Sequence, residues 1–417
     1  MFKTFAAAAL VSIASAQSGD ALIGTNVGGW MVLEPWITPS LFYRFLGKTQ
    51  TEGVGMDCYT FCEALGAEEG NRILRSHWEN WITEDLIKEL ADREVEVIRL
   101  PIGDWTINQY GPFVGCMDGA VDYIDKFFGW AETYGIKVLL DIHAMKDSQN
   151  GFDNSGQALS LEWDGENNFK HWSIESANWL GTWEGWYYSD TNWDNVAWSV
   201  AQVTAMMDRW GNHPAMYAFE PVNEPWWATD LTVLKEYYTQ AREVIRASNP
   251  DVLFVFHDAF QPYADTWNDL FADDDMENVV MDNHSYMAWW ERKDYIGAYC
   301  DDYGGVIRNM ADIKYPIWVG EWSLATDVCA FWLGGFNDSN TPYQFDCEWV
   351  DCPYSYMPAD TAVDFDRTAE TLGPWGESDR AMVKYGQCAR DSTFFSDADI
   401  QVLGDCTSYI FDDAVAG

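Results

Sequence analysis

Short apolar runs alternate with amphipathic segments through the middle of the chain. The segments with helical periodicity span 84–93, 116–135, 195–210 and 231–247. The apolar runs, which predict strands, span 95–101, 137–143, 216–225, 252–257, 278–284 and 315–323. Because these runs are apolar at nearly every position rather than at alternate ones, we expect parallel strands that are buried on both faces.

Polar side chains collect at the carboxyl ends of these predicted strands. They are Arg99, His143, Glu224, His257, His284 and Glu321. In a TIM barrel the carboxyl ends of the strands form the active-site face. The pattern therefore predicts an α/β fold of the TIM (β/α)8 type, with a doubly wound sheet as the structural alternative.

No eighth strand is evident in the sequence. The segment 324–417 contains cysteines, lacks a regular pattern and ends with a predicted helix. A seven-stranded barrel would expose two strand edges. We therefore expect either a C-terminal truncation before the eighth strand, which is the interpretation we favour, or a barrel that closes in another way.

The amino terminus predicts secretion. A short apolar run ends at Ala14-Ser15-Ala16, a small-residue cleavage pattern, so residues 1–16 are predicted to be a signal peptide. Residues 17–417 would then form a single catalytic domain that includes the irregular extension. No later apolar run approaches the length of a membrane span. We expect a secreted, extracellular monomer, with association to a cell wall left open.

The charge of the chain limits the partners that it can bind. Its 67 acidic and 24 basic residues give a formal net charge of −43, which argues against nucleic acid and anionic membranes. A neutral polymer is compatible with this charge. The chain also has 24 tryptophans, and aromatic residues make up 16% of it. Sugars present C–H faces that pack on such rings, although most of these tryptophans must be core residues.

The nine cysteines favour an oxidising compartment. The simplest interpretation is four disulfides and one free thiol, with a connectivity that the spacing does not decide. Cys58 and Cys62 have the spacing of half a zinc site, but no second pair of cysteines or histidines accompanies them. We therefore expect no metal and no organic cofactor.

Two glutamates at the predicted strand ends indicate the chemistry. Glu224 and Glu321 each close a buried run, where an unpaired carboxylate is costly to desolvate. Two carboxyl groups about 5–5.5 Å apart, one protonated and one ionised, are what a retaining glycosidase requires. We interpret Glu224 as the acid/base and Glu321 as the nucleophile of a sugar hydrolase.

Five further residues are suited to support this pair. Asn223 is placed to bind the sugar 2-hydroxyl, and Arg99 to keep the nucleophile ionised. Tyr286 could donate to the same carboxylate, while His143 and His284 could bind sugar hydroxyls. Each residue alone also has a structural explanation, as a member of an ion pair or as a satisfied core residue. Their grouping at one end of the predicted barrel favours a functional site.

Several ordered motifs carry a family resemblance. They are 24–30, 33–42, 98–103, 148–156, 223–225, 282–286 and 320–323. With these motifs the chain resembles glycoside hydrolase family 5 of clan A, and within it the secreted exo-β-1,3-glucanases of fungi and related microbial eukaryotes. The resemblance extends over about residues 22–335.

The resemblance implies the same catalytic pair and adds a substrate pocket. Glu34 and Asp153 would hold the hydroxyls of the terminal glucose in a closed pocket, which suits exo action. Phe152 and Trp289 would clamp the next glucose, although phenylalanine is what the family leads us to expect at Trp289. The family also closes its barrel with an eighth strand whose tryptophan forms the floor of the site, and this chain lacks a match to it.

The predicted function is a secreted, retaining hydrolase that releases glucose from the non-reducing ends of β-1,3-glucan. An endo-acting enzyme, a β-1,6- or β-1,4-glucanase and a transglucosylase are alternatives within the family. A non-catalytic glucan-binding wall protein on a retired barrel is the alternative from another class, but both carboxylates are retained. We expect N-glycosylation at Asn337 rather than at Asn283, because the Asn283 sequon lies on a predicted catalytic strand.

Overall fold

The barrel is built from seven parallel strands in sequential order. The computed structural model describes residues 10–14, 21–45, 53–158, 162–163, 169–170, 177–272, 275–326, 345–346, 355–362, 386–387 and 395–415. The strands are β1 (Ala21–Asn26), β2 (Val97–Gly103), β3 (Lys137–Ala144), β4 (Met216–Glu220), β5 (Leu253–His257), β6 (Val279–Ser285) and β7 (Ile317–Trp322). Each pairs in parallel with the next strand along the chain. Because this order has no reversal, the TIM-barrel prediction is confirmed and the doubly wound alternative is wrong.

Helices occupy the connections between the strands. They are α1 (Cys58–Asn80), α2 (Glu84–Asp92), α3 (Ala120–Tyr134), α4 (Trp193–Trp210), α5 (Leu231–Ser248), α6 (Ile296–Asn309) and α7 (Asp397–Val415), with short turns at Phe113–Cys116 and Ala264–Trp267. The predicted helix 116–135 begins later in the structure because Gly119, with a φ of 87°, precedes it. The N-cap residues of α1, α2, α4 and α5 each accept a hydrogen bond from a backbone N–H group through a side-chain oxygen. These N-cap residues are Asp57, Thr83, Asn192 and Asp230. None of the helices in the described residues is long and apolar enough to cross a membrane.

Smaller elements complete the described chain. Single-turn 3-10 helices lie at Pro39–Leu41, Tyr43–Phe45, Asp153–Ser155 and Met287–Trp289. Two-stranded antiparallel pairs join Glu162–Trp163 to Phe169–Lys170, Gly181–Trp183 to Tyr188–Thr191, and Phe345–Asp346 to Gly386–Gln387.

Alternation along the strands divides the barrel interior into two layers. Buried apolar side chains form the first layer: Val97, Leu139, Ala218, Val255, Val280 and Val319. Residues two positions further along a strand lie on the same face. The second layer is therefore polar and consists of Arg99, Asp141, Glu220, His257, Asp282 and Glu321. This polar layer faces the carboxyl ends of the strands, where the active site of a TIM barrel lies.

The interval between β1 and β7 is occupied by an antiparallel strand. Leu10–Ala14 pairs with β1, with Leu10 opposite Thr25, and also lies against β7 and α7. At the carboxyl end of the same interval, Asn26 Nδ2 donates to the carbonyl oxygen of Gly320 at 3.0 Å. Within the described residues, no parallel eighth strand follows β7. The predicted signal peptide includes the antiparallel strand, and its cleavage stays a prediction.

Two disulfides connect elements outside the sheet. Cys62 in α1 is bonded to Cys116, and Cys300 in α6 is bonded to Cys406 in α7. Cys58 is a buried free thiol. Because Cys62 is in a disulfide, it cannot supply a thiolate to the zinc half-site that its spacing resembled. The other cysteines lie outside the described residues: Cys329, Cys347, Cys352 and Cys388.

The first glycosylation sequon is buried in the barrel. Asn283 is 4% exposed, and its Nδ2 donates to Asp258 Oδ2 at 2.6 Å. An amide in this position is not accessible for modification, in line with the expectation from the sequence. Asn337, the preferred site, lies outside the described residues.

Gly320 has no room for a side chain, and this gives a test of the barrel packing. Its N–H donates to Asp282 Oδ1 at 2.6 Å, and an added Cβ would lie 2.0 Å from Asp282 Oδ2. Gly320→Ala must displace Asp282 or β7, which we expect to lower the free energy of unfolding by about 1–3 kcal/mol. Gly129→Ala is the matched control, because a Cβ at that position in α3 meets nothing within 4 Å.

The control substitution should instead stabilise α3 by ~0.5–1 kcal/mol, since alanine favours a helix over glycine. Urea unfolding of the two variants measures both changes. Equal changes in the same direction would contradict the packing described for Gly320.

Candidate active site

Arg99 is the centre of the polar layer, and it lies within β2 rather than at the strand end. Its side chain is 2% exposed and forms ion pairs with Asp141, Glu220 and Glu321 at 3.0, 2.8 and 2.7 Å. Its Nη2 also donates to Asn223 Oδ1 at 2.8 Å. Burial raises the pKa of Asp141 to about 8, although Arg99 opposes the shift, and burial likewise raises the pKa of Glu220. Burial thus opposes the simultaneous ionisation of the carboxyl groups around Arg99, and the guanidinium favours it.

Glu321 is the carboxylate that the surrounding cations stabilise. It accepts hydrogen bonds from Arg99 Nη1 at 2.7 Å and from the Tyr286 hydroxyl at 2.9 Å. Burial alone would raise its pKa, but the charges of His284 and Arg99 and the Tyr286 hydrogen bond outweigh burial and lower the pKa to about 2. Glu321 is therefore ionised at neutral pH. Arg99 and Tyr286 lie where the sequence analysis expected them, on this carboxylate.

Glu224 lies beyond the strand that was expected to end with it. β4 ends at Glu220, and Glu224 has a φ of 44°, a left-handed conformation that is strained for a residue other than glycine. Asn154 Nδ2 donates to Glu224 Oε2 at 2.7 Å, and Asn150 Nδ2 donates to the Glu224 carbonyl oxygen at 3.2 Å. A turn held by the loop after β3, rather than the strand itself, therefore orients this carboxylate.

His284 connects the two glutamates. Its Nδ1 lies 2.8 Å from Glu224 Oε1 and 3.5 Å from Glu321 Oε2. The two carboxylate oxygens therefore cannot be farther apart than the sum of these distances. That limit on the two oxygens is compatible with the ~5–5.5 Å between the carboxyl groups of retaining glycosidases.

His284 is held as a cation in this position. Burial would lower its pKa, but the negative charges of Glu321, Asp282 and Glu224 raise the pKa well above its ordinary value. Its Nε2 lies 3.4 Å from Asp282 Oδ2. The structure thus gives His284 a position between carboxylates, where the sequence analysis had expected contacts with sugar hydroxyls.

Glu34 belongs to the same electrostatic environment as the two glutamates. It is 6% exposed, and Trp36 Nε1 donates to its Oε2 at 3.1 Å. Burial raises the pKa of Glu34 well above its ordinary value, and the negative charges of Asp153, Glu321 and Glu224 add to the effect. Glu34 therefore lies close enough to Glu224 and Glu321 to interact with both.

Gln149 positions two other predicted site residues. Its Nε2 donates to the carbonyl oxygens of His143 at 2.8 Å and of Asn223 at 2.9 Å. His143 Nδ1 shares a hydrogen bond of 2.6 Å with Asp141 Oδ2, and burial lowers the pKa of His143 to about 3. His143 Nε2 lies 3.8 Å from Glu34 Oε1. A neutral imidazole thus lies between the polar layer and the pocket carboxylate.

Several buried polar atoms of the site lack hydrogen bonds within the described chain. Among them are Asn223 Nδ2 and Asp153 Oδ2. Asp153 is 8% exposed, and burial, with a contribution from Asp57, raises its pKa to about 7. Buried polar groups are nearly always paired in native proteins. Both atoms are therefore candidates for contacts with a polar ligand.

The predicted aromatic clamp consists of residues on two different loops. Phe152 packs edge-to-face against Trp226, with ring centroids 5.6 Å apart. Trp289 lies at the end of the turn after β6 and is 60% exposed. The clamp stays a prediction. Trp226, shortly after Glu224, is an aromatic neighbour that the sequence analysis missed.

Comparison with known proteins decides the family. Residues 62–344 match the family model described as cellulase (glycosyl hydrolase family 5). The chain belongs to glycoside hydrolase family 5. This family 5 hydrolase is 32% identical to a probable glucan 1,3-beta-glucosidase A of Aspergillus clavatus over 339 residues, which cover 79% of this chain and 71% of that protein. It is also 32% identical to a glucan 1,3-beta-glucosidase of Schwanniomyces occidentalis over 340 residues, covering 78% and 73% of the two chains.

Solved structures agree on the fold of this family 5 hydrolase. The crystal structure of AoRut aligns with a TM-score of 0.55 at 21% identity, covering 78% of this chain and 82% of that one. A rutinosidase from Aspergillus niger aligns with a TM-score of 0.52 at 19% identity, covering 77% and 82%. At these identities the likeness concerns the fold alone.

His257 is a member of the site that the sequence analysis placed at a strand end without a role. Its Nδ1 accepts the N–H of Ala259 at 3.0 Å, and its ring centroid lies 4.4 Å from that of His284. Burial lowers the pKa of His257 well below its ordinary value, so the ring is neutral and its proton is on Nε2. Nε2 is buried and has no partner in the described part of the chain.

The same histidine bears on whether the site suits a metal. Ligand atoms of Glu224, His257 and His284 lie within 4.8 Å of one another. A metal bound at His257 Nε2 would need the ring proton on Nδ1, where it would face the Ala259 N–H. These residues therefore fit a hydrogen-bond donor at Nε2 better than a metal ligand.

Asp141, Glu220 and Asp282 were also missed, although the sequence contains a signal for them. Each lies two residues after an apolar member of the barrel interior and directly follows an apolar residue of its strand. An acidic residue in that register faces the same interior space as Arg99. The two-residue alternation of side chains along each strand identifies these acidic residues, whereas their distance from the strand end does not.

The dependence of the polar layer on Arg99 can be tested by removing its charge. We expect Arg99→Met to lower the free energy of unfolding by about 3–5 kcal/mol, because the buried carboxylates lose their counter-ion. Arg93→Met is the control, since Arg93 forms an exposed pair with Glu89 in which the side chains are 64% and 44% exposed. Such surface pairs contribute about 0–1 kcal/mol.

Urea unfolding at neutral pH measures both variants. A loss in Arg99→Met no larger than that in the control would mean that the polar layer does not depend on this cation.

Proposed function

We propose that this family 5 hydrolase removes glucose from the non-reducing ends of β-1,3-glucan with retention of configuration. The observation that carries the proposal is the bridge of His284 Nδ1 to both Glu224 and Glu321, a proximity that is compatible with a retaining pair. The names of the relatives from Aspergillus clavatus and Schwanniomyces occidentalis support the substrate class.

The proposed reaction has two steps. In the first, the ionised Glu321 attacks the anomeric carbon while the protonated Glu224 donates its proton to the leaving glycosidic oxygen. The products are a covalent glucosyl ester on Glu321 and a glucan shortened by one unit. In the second, Glu224, now a carboxylate, takes a proton from water as the water attacks the anomeric carbon, which releases glucose and restores both groups.

The surrounding residues support this division of roles. The low pKa of Glu321, to which His284, Arg99 and Tyr286 contribute against burial, keeps the nucleophile ionised. Asn223, fixed through its backbone by Gln149 and through its Oδ1 by Arg99, leaves Nδ2 for a sugar 2-hydroxyl. These contacts favour a working enzyme over a retired glucan-binding barrel, in which support for the nucleophile would serve no purpose.

Exo action is supported by the pocket carboxylates. Glu34 and Asp153 are almost fully buried, and Asp153 Oδ2 has no partner within the described residues. Carboxyl groups at the closed end of a site can hold hydroxyls that are free only on a terminal glucose. Endo action, other β-linkages and transglucosylation use the same catalytic pair and would differ in this pocket.

Secretion is a further part of the proposal. The disulfides Cys62–Cys116 and Cys300–Cys406 support an oxidising compartment. The apolar amino-terminal run and its small-residue cleavage pattern support export by a signal peptide.

Digestion of laminarin tests the proposed reaction. We expect glucose as the sole early product, released first as the β-anomer, as followed by chromatography and by proton NMR. Glu321→Gln and Glu224→Gln should each lower turnover by roughly 10⁴-fold, as removal of a catalytic group does in other hydrolases. Unfolding midpoints should stay close to those of the unaltered chain. Release of the α-anomer, or activity retained in Glu321→Gln, would overturn the mechanism.

Azide distinguishes the roles of the two glutamates on an activated aryl β-glucoside. In Glu224→Ala, azide should attack the glucosyl ester and give β-glucosyl azide. In Glu321→Ala, no ester forms, and direct attack should give α-glucosyl azide. The opposite pattern would exchange the two assignments.

Glu34→Gln tests the exo pocket on the same substrate. We expect oligosaccharides to join glucose among the early laminarin products, since the terminal unit loses one of its anchors. Pure glucose from this variant, at an unchanged KM, would contradict the role given to Glu34.

A further inference from the structure

A tight hairpin lies in the connection from β3 to α4. Its strands, Gly181–Trp183 and Tyr188–Thr191, are antiparallel, and Trp183 pairs with Tyr188 with ring centroids 4.9 Å apart. The Glu184 N–H donates to the Tyr187 carbonyl oxygen at 2.8 Å across the turn. Gly185 has a φ of 86°, which the first central position of such hairpin turns requires. The tip of the hairpin is therefore a fixed turn.

This turn presents aromatic side chains to solvent. Trp186 is 91% exposed and Tyr187 is 60% exposed, and Trp193 at the start of α4 is 53% exposed. Tryptophan is highly buried on average in folded proteins, because its ring gains the most from leaving water. Nothing in the local fold requires an aromatic at the tip, since the turn depends on Gly185. An exposed indole on a fixed turn is suited to stacking on a ligand.

The hairpin lies at the end of the barrel that carries the active site. The Asn178 N–H donates to the Asp147 carbonyl oxygen at 2.9 Å, and the Trp179 N–H donates to the Ser148 carbonyl oxygen at 3.0 Å. Asn195 Nδ2 donates to Asp147 Oδ2 at 2.9 Å, which ties the start of α4 to the same loop.

That loop continues directly into the pocket. It carries Asn150 and Asn154, which bind Glu224, and it also carries Asp153. The Trp226 N–H, two residues after Glu224, donates to the carbonyl oxygen of Gln149 in the same loop at 3.0 Å. The hairpin is therefore connected to the loop after β3, and through that loop to the segment that follows Glu224, and these two segments form the proposed glucose site.

We propose that Trp186, together with Tyr187, binds glucosyl units of a β-glucan chain whose non-reducing end occupies the active site. The identity of the polymer rests on the proposed function. A pyranose ring would stack its C–H face on the indole, and the exposed Glu184 and Asp190 on either side could accept its hydroxyls. The site would hold the polymer and would not take part in the reaction.

The charge of the chain favours this occupant over others. With a formal net charge of −43, the surface repels anionic partners and a second copy of the same chain. A neutral polysaccharide pays no such cost, and its binding to a flat ring needs no countercharge.

Comparison of a polymer with a small substrate tests the site. For Trp186→Ala, we expect the KM for laminarin to rise roughly 3- to 10-fold, the size of one lost ring stacking interaction. The kcat/KM for 4-nitrophenyl β-glucoside should stay within about twofold of that of the unaltered chain, because this substrate reaches only the pocket. Trp186→Phe keeps a ring and should recover most of the affinity for laminarin.

Tyr409→Ala is the matched control, because Tyr409 lies in α7 and is 71% exposed. This variant should change neither the KM for laminarin nor the kcat/KM for 4-nitrophenyl β-glucoside. An equal loss on both substrates in Trp186→Ala, or no loss on laminarin, would overturn the proposal. Sedimentation provides a further test. If the unaltered chain forms a dimer and Trp186→Ala does not, the surface around Trp186 is an interface between copies of the chain, and the proposed glucan site is wrong.

Binding without turnover separates this proposal from the proposed function. Migration of Glu321→Gln through gels that contain laminarin should be retarded, and adding Trp186→Ala should remove most of the retardation. If the unaltered chain does not hydrolyse laminarin but the retardation still depends on Trp186, the reaction is wrong and the binding site stands. If hydrolysis occurs and retardation is independent of Trp186, the binding site is wrong.

Discussion

The barrel interior is organised by one buried cation. A guanidinium can be buried without a large penalty only when its donors are paired. Arg99 satisfies this condition with carboxylates from β3, β4 and β7, none of which is provided by its own strand. Strands that do not neighbour one another in the sheet are thereby linked through the centre of the barrel. The register of four strands is consequently coupled to the position of Glu321.

Glu224 and Glu321 have different hydrogen-bond partners, and this difference suits the different roles proposed for them. Glu321 is surrounded by the cations of Arg99 and His284, whereas Glu224 accepts from the neutral amide of Asn154 and shares only His284. In the proposed mechanism Glu321 loses its charge when it forms the glucosyl ester, just as Glu224 gains one by giving up its proton. Because His284 lies within reach of both, its positive charge remains paired through the exchange.

Much of the fold could be predicted because a strand buried on both faces leaves few places for charge. Continuous apolar runs therefore located six of the seven parallel strands, and their polar ends located Glu321. Asp141 was missed because it lies within β3 rather than at its end, and only its position two residues after Leu139 marks it as an interior residue. The position of Glu224 depended on contacts with the loop 148–156, which fix a left-handed turn that no local pattern specifies. Similarly, the disulfide between Cys62 and Cys116 depends on how α1 packs, and the spacing of these cysteines in the sequence does not predict it.

Closure of the barrel and the position of Glu321, the proposed nucleophile, depend on each other. β7 carries Glu321 and has no parallel strand beyond it in the described chain, so its edge must be protected by other means. The strand Leu10–Ala14 covers the interval toward β1, and Asn26 bridges it at the carboxyl end. On the outside, Phe411 of α7 packs edge-to-face on Trp322, and the disulfide from Cys406 to α6 keeps that helix in place.

The strand Leu10–Ala14 and Asn26 lie beside the edge of β7, α7 packs on its outer face, and Arg99 binds Glu321 from the barrel interior. If the strand Leu10–Ala14 were removed, the backbone edge of β1 would lose its partner, but Asn26 and Arg99 would still connect β1 and β2 to the end of β7 that carries Glu321. The geometry of the proposed catalytic pair is therefore protected by side chains at the site itself, and it depends less on the completeness of the sheet than the number of strands alone would indicate.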